Sequence, residues 1–173
     1  MKYLSCADTA KLIRQALKEA FPGIKFSVRS STYSGGASIG VSWTDGPNVD
    51  QVEAVAKVFR GSYFDSSIDY QGATYAMIDG EQVRFGADYV NCRRAYSRAL
   101  CEKLLSRLHI DGLTIAGSDD DAWFDAADHD VVRWARVRLY KHSDRLKVEK
   151  SKTAGKVIYL GNDGYSAVRA LNV

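Results

Sequence analysis

The sequence predicts an α+β fold: helices packed on an antiparallel sheet, in the order α-β-β-α-β-β-α, followed by a basic, β-rich C-terminal region. Three observations predict it. Segments with apolar residues three and four apart alternate with segments of period two. Turn formers separate them at Pro22-Gly23, Gly35-Gly36, Asp45-Gly46-Pro47 and Asp79-Gly80. Strands come in adjacent pairs between helices, which suits an antiparallel layer with helices on one face.

The first helix is punctuated at both ends. Ser5 with Asp8 three residues on resembles a capping box, Ala10, Ile13, Leu17, Ala20 and Phe21 recur at helical spacing, and Pro22-Gly23 stops the run. In IKFSVRS and ASIGVSW the apolar trios Ile24, Phe26, Val28 and Ile39, Val41, Trp43 each fall on one face. Gly35-Gly36 then joins two antiparallel strands. A phosphate-binding loop would lead its glycines into a helix N-terminus, and these lead into a strand. Lys25, Ser27, Arg29, Ser38, Gly40, Ser42 and Thr44 make the other hairpin face polar, small and mildly basic. That face suits solvent, a strand of nucleic acid or a partner.

Asn48 with Gln51 caps a second helix whose stripe is Val52, Val55, Ala56 and Phe59. After a link SYFDSSIDYQG, the segment TYAMIDGEQVRF reads as a hairpin around Asp79-Gly80. A third helix follows in CRRAYSRALCEKLLSRLHI, opened by Arg93, Arg94 and Arg98. Ser118 with Asp121 predicts a helix through DDAWFDAADH. RWARVRLY, RLKVE, KVIYL and YSAVRAL read as short strands, with a longer helix through Leu139 as the competing reading, because Phe124, Ala127, Val131, Ala135 and Leu139 also fit helical spacing. The expected organisation is an α+β module over 1–110, with 111–173 as an acidic linker and basic extension packed on it.

The net charge of +3 is unevenly spread. Residues 131–173 stand at +7 and the first 130 at −4, with Asp119, Asp120, Asp121, Asp125, Asp128 and Asp130 clustered just before the basic tail. Such a tail meets phosphate, pairs with the acidic segment, or forms a solvated face. No apolar run approaches the roughly 20 residues that span a bilayer. The first residues lack the apolar stretch of a secretory signal, so a cytoplasmic protein without membrane contact is expected. Cys6, Cys92 and Cys101 fit neither a disulfide framework nor a zinc knuckle.

Catalytic groups are thin. His109 ends a leucine-rich helix, His142 falls in a turn, and no serine or cysteine sits in a nucleophile pattern, so no catalytic residue, metal site or cofactor is assigned. His129 with Asp125 or Asp128 leaves a divalent-metal-dependent enzyme as a remote alternative. The stronger pattern is basic and aromatic. Candidate binding residues are Arg29, Arg93, Arg94, Arg98, Arg133, Trp134, Arg136, Arg138, Tyr140 and Lys141, a mixture suited to neutralising a phosphate backbone and stacking bases.

The strings AFPGIKFSVRSSTYSGGASIGVSWTDGP, FDSSIDY and FGADYVNCRRAYS, in that order over Tyr3 to Ser97, resemble the large-polyvalent-protein-associated domain, type twenty-nine. Arg29, Trp43, Asp45, Asp65, Asp88 and Arg94 match its recurring strings, while Ser66 stands where the family more often has glycine. The resemblance implies a module carried in very large proteins of phages and conjugative elements, which are thought to enter the recipient cell with the DNA and counter its defences. It implies no catalytic residues. The expected function is therefore a non-enzymatic phage or plasmid accessory protein that binds a host defence complex, CRISPR or restriction, in an anti-defence or anti-CRISPR role. Direct nucleic-acid binding is the alternative.

Overall fold

A computed structural model describes residues 1–145 and 147–166. The chain is α+β, as expected, but its sheets are mixed and its strands more numerous than the sequence predicted. A short β1 (Lys2–Leu4) precedes helix α1 (Cys6–Ala20). The Ser5 Oγ accepts from the Asp8 N–H at 3.1 Å and donates to the Asp8 carboxylate at 2.6 Å, which fixes the start of α1. The stripe Ala10, Ile13, Leu17 and Ala20 is buried.

Strands β2 (Ser27–Tyr33) and β3 (Gly36–Thr44) pair antiparallel through Tyr33–Gly36, with Gly35 at φ 91° in the turn. This is the hairpin expected from Gly35-Gly36. Trp43 is buried in the core that includes α1, and its indole N–H donates to the Pro47 carbonyl at 3.0 Å. The Asp45-Gly46 turn has positive φ at both positions and leads into α2 (Val49–Ala56), capped by reciprocal Asn48–Gln51 hydrogen bonds as predicted.

Two expectations between residues 62 and 98 are corrected. SYFDSSIDYQG is not a link: it supplies β4 (Ser62–Asp65) and the start of β5 (Tyr70–Ile78), which pair antiparallel. The Asp79-Gly80 hairpin joins β5 to β6 (Glu81–Phe85) as expected, and β1 pairs with β6 in parallel. Arg93 and Arg94 do not open a helix. They lie on β7 (Tyr89–Ala95), which runs parallel to β3, and α3 starts only at Arg98 (Arg98–Leu108) behind the N-cap Ser97. Alternating burial along YVNCRRA, with Val90 and Arg94 inward, shows the period of two that decided for a strand.

Beyond α3 a second core forms. Hairpin β8 (Thr114–Gly117) and β9 (Ala122–Asp125) packs with α3 and α4 (His129–Lys141) around Cys101, Leu113, Phe124, Ala135 and Leu139. The helix expected through DDAWFDAADH is therefore a strand and a loop, and the strand expected in RWARVRLY is a helix. Asp128 caps α4, accepting from the N–H groups of Asp130 and Val131, and Val132, Ala135 and Leu139 make its buried stripe. Short-range alternation of Val137 and Leu139 with arginines coincides with helical spacing over so few residues. The arginines, alanine and leucine favour the helix.

The C-terminal segment returns to the first core, with one strand among its described residues beyond α4. No strand forms at 147–150; a short α5 (Lys152–Gly155) lies against α1; and β10 (Ile158–Asn162), which overlaps the expected KVIYL and runs two residues past it, pairs antiparallel with β5. The Glu19 carboxylate on α1 receives the Ser151 hydroxyl, the Thr153 N–H and the Thr153 hydroxyl at 2.8–2.9 Å. The strand expected in YSAVRAL lies outside the described residues from Ala167 onward. Among the described residues, no helix is long and apolar enough to cross a membrane.

Candidate functional site

Helix α4 presents one side to the second core and leaves the rest exposed, and that exposed side carries the basic and aromatic side chains of residues 133–141. Arg133, Arg136, Val137 and Tyr140, spaced three, four and seven apart from the first, share a line along the helix. Facing them is Trp123 from β9, 43% exposed. With His129 and Tyr96 these residues line an open groove of about 780 Å³. Trp134, Arg138 and Lys141 form the next ridge outward, where the Arg138 guanidinium lies 4.8 Å from the Trp134 ring centroid in cation–π geometry.

Hydrogen bonds tie the elements around the groove together. The Arg136 Nε donates to the Phe124 carbonyl at 3.1 Å, which ties the helix to β9. The Tyr140 hydroxyl reaches the Asp50 carboxylate at 3.4 Å, and burial, followed by the charges of Asp50 and Glu53, raises its pKa. Beyond the C-terminus of α4, the Lys141 carbonyl accepts from the Asn48 amide at 3.3 Å and the Arg145 carbonyl from the Gln51 amide at 2.8 Å. The cap residues of α2 thus also seat the end of α4. Among the described residues Arg133 has neither an ion-pair nor a hydrogen-bond partner, so its charge is available to a ligand.

The other predicted binding residues divide. Arg94 is not a surface cation: it is 6% exposed and donates to the carbonyls of Asp45 (3.0 Å), Gly46 (3.0 Å) and His142 (2.6 Å), with Tyr96 stacked 5.0 Å away. Burial pulls its pKa below the ordinary arginine value, and that of His142 falls through burial and the nearby Arg94 charge. Arg98 donates to the Asp119 carboxylate at 3.1 Å and the Gly117 carbonyl at 2.7 Å, holding the β8–β9 turn. Arg93 is exposed and lies 3.4 Å from Asp121. Arg29 is exposed on β2, in the β2–β3–β7 sheet, and does not line the α4 groove.

Most of the residues that match the family's strings prove to be framework. The Asp45 carboxylate accepts from the Ser97 N–H (2.8 Å) and hydroxyl (2.6 Å), Asp65 accepts from Ser67 and Ser166, and Asp88 accepts from the Ala37 N–H at 2.8 Å. Asp119 and Asp121, of the acidic cluster, face Arg98 and Arg93. Among the described residues, no group of three or more His, Cys, Asp or Glu side chains is placed to hold a metal ion. Sequence reasoning missed Trp123, Tyr96 and Val137 as groove residues. Trp123 alone carried a signal, as the outward residue in the alternation of A-W-F-D.

The family model described as large polyvalent protein associated domain 29 matches residues 4–97. No curated protein and no solved structure matches the chain. With more than half of its length matched, the chain belongs to the large polyvalent protein associated domain 29 family.

Proposed function

We propose that this chain is a non-enzymatic binding module of a mobile-element protein, and that its ligand is single-stranded nucleic acid held along α4. One observation carries the reading: Arg133 and Arg136 share a groove with Trp123 and Tyr140, so cations that neutralise phosphates stand beside rings on which bases stack. A groove with an aromatic wall and guanidinium groups along one side tolerates any base sequence, because every base offers a π face. The family's setting supports a role with DNA that moves between cells.

The experiment is fluorescence anisotropy with labelled single- and double-stranded DNA and RNA at two salt concentrations. Single strands should bind more tightly than duplexes, with log K falling against log salt by about 0.7 per phosphate contact. R133E/R136E should flatten that slope, and W123A should weaken binding by about 1–3 kcal/mol without altering it. Salt-independent affinity, or full affinity in R133E/R136E, would sink the reading.

A second reading, an anti-defence protein that binds a CRISPR or restriction complex, is favoured by the exposed apolar surface of Trp134 and Val137 on the same helix. It predicts a defined protein partner whose binding survives R133E/R136E but not W134A/V137D.

A further inference from the structure

The outer face of the sheet β2–β3–β7 has a shape that matches its charge. Strand register sets three rows across it: Ser27–Ser42–Arg93, Arg29–Gly40–Asn91 and Ser31–Ser38–Tyr89. The central strand contributes only serines and glycine there, and a Cβ at Gly40 would meet nothing within 4 Å. The middle of the face is therefore a shallow trough. Lys25 and Arg29 flank it on one side and Arg93, its side chain 81% exposed, on the other. Among the described residues Lys25 and Arg29 have no carboxylate partner.

The linings of this trough and of the α4 groove come within two residues of each other at the start of β9. Lys25, Ser27, Ser42, Arg93 and Asp121 line an open depression of about 560 Å³. Two residues beyond Asp121, in the outward phase of the same alternation, Trp123 lines the groove of α4. Asp121 stands at the junction with its carboxylate 3.4 Å from Arg93. An ion pair this exposed contributes little to stability, so a phosphate oxygen can replace the carboxylate.

We propose that the face of β2–β3–β7 continues the α4 groove, that one single strand of nucleic acid runs over both, and that Asp121 is the carboxylate this strand displaces from Arg93. The inference rests on the α4 reading above. The 13 residues of α4 extend about 20 Å and the rows of the sheet add about 13 Å along the strands. A short oligonucleotide occupies α4 alone, whereas a longer one reaches the sheet.

The test is anisotropy at low salt with oligothymidylates of about 6 and about 20 nucleotides, lengths that bracket a typical site. R29E/R93E should weaken the long oligonucleotide about tenfold or more and leave the short one unchanged, because only the long strand reaches those charges. D121N should tighten the long oligonucleotide a few-fold, since the competing charge is gone. R133E/R136E should weaken both lengths. If R29E/R93E binds the long strand as tightly as the unsubstituted protein, or D121N fails to tighten it, the inference falls and the α4 reading stands. If neither length binds the unsubstituted protein, both fall.

Discussion

Arg94 and Arg133 are both arginines of the basic set, and replacing each by methionine should separate a structural cation from an exposed, unpartnered one. Arg94 bonds three carbonyls, in the Asp45-Gly46 turn and at His142 just past α4, and so ties β7 and both segments together. Charge-assisted hydrogen bonds contribute about 1.5–3 kcal/mol each, which bounds the loss in R94M at roughly 5–9 kcal/mol. Release of a buried guanidinium from its desolvation cost returns several of these, and the methionine fills part of the space, so the net cost is about 3 kcal/mol. For a chain of this size that lowers Tm by about 6–12 °C. R133M, at an exposed position without partners, should change stability by less than about 0.5 kcal/mol. Urea denaturation followed by circular dichroism reads both. An R94M midpoint within error of the unsubstituted protein would refute the role of Arg94 as a tie. It keeps its three-carbonyl geometry only in a guanidinium, so R94K should recover little of the loss.

The Glu19 carboxylate, held to about 2 by the Thr153 N–H and then by Gln15, Ser151 and Thr153 side chains, binds protons less readily folded than unfolded. Its stabilisation is complete above the ordinary glutamate range near 4.5 and is lost as pH falls toward 2; E19Q should flatten the stability–pH curve in that interval, and an unchanged slope would remove Glu19 from it. Asp163 accepts from the Tyr63 and Tyr70 hydroxyls (2.7 and 2.9 Å) and the Ala73 N–H (2.9 Å), and D163N turns one acceptor into a donor facing them. It should cost about 1–3 kcal/mol, and Tyr70, raised first by that carboxylate, should ionise at lower pH in a tyrosinate absorbance titration. Burial pushes the Cys92 thiol up to about 12 and Cys101 to about 11, so both should resist iodoacetamide at neutral pH until urea unfolds the chain. Rapid labelling of the folded protein would contradict that burial.

Elements with complete local punctuation were legible. Ser5–Asp8, Asn48–Gln51, Gly35-Gly36 and Asp79-Gly80 each mark a cap or turn found in the structure, because each is decided by bonds within four residues. Where the deciding partner is distant, reading failed. The segment YVNCRRA carries two adjacent arginines and a cysteine run into a leucine-rich helix, yet it is a strand because β3 pairs along its whole length and Arg94 finds three carbonyls. SYFD and β1 likewise become strands only through β5 and β6. In AWFD the inward phase of Ala122 and Phe124 exists only because α3 and α4 supply a second core to face.

The proposed binding surface was legible in composition but not in place. Arg133, Trp134, Arg136, Arg138, Tyr140 and Lys141 were all singled out, yet on a strand Trp134, Arg136, Arg138 and Tyr140 would share one face and Arg133 and Lys141 the other, whereas the helix sets Arg133, Arg136 and Tyr140 along one groove and Trp134, Arg138 and Lys141 along one ridge. The helical arrangement is what sets Arg133 and Arg136 opposite Trp123, a residue ten positions earlier in the chain. The region matched to the family ends at residue 97, before β9 and α4, and its aspartates hold turns, caps and strand junctions. Its contribution to the groove is Tyr96 in the wall, and to the seating of α4 the Asn48–Gln51 cap and Arg94. The shared module thus frames the groove, whose other lining residues belong to 123–140, so the ligand proposed for it need not extend to family members with a different continuation after residue 97.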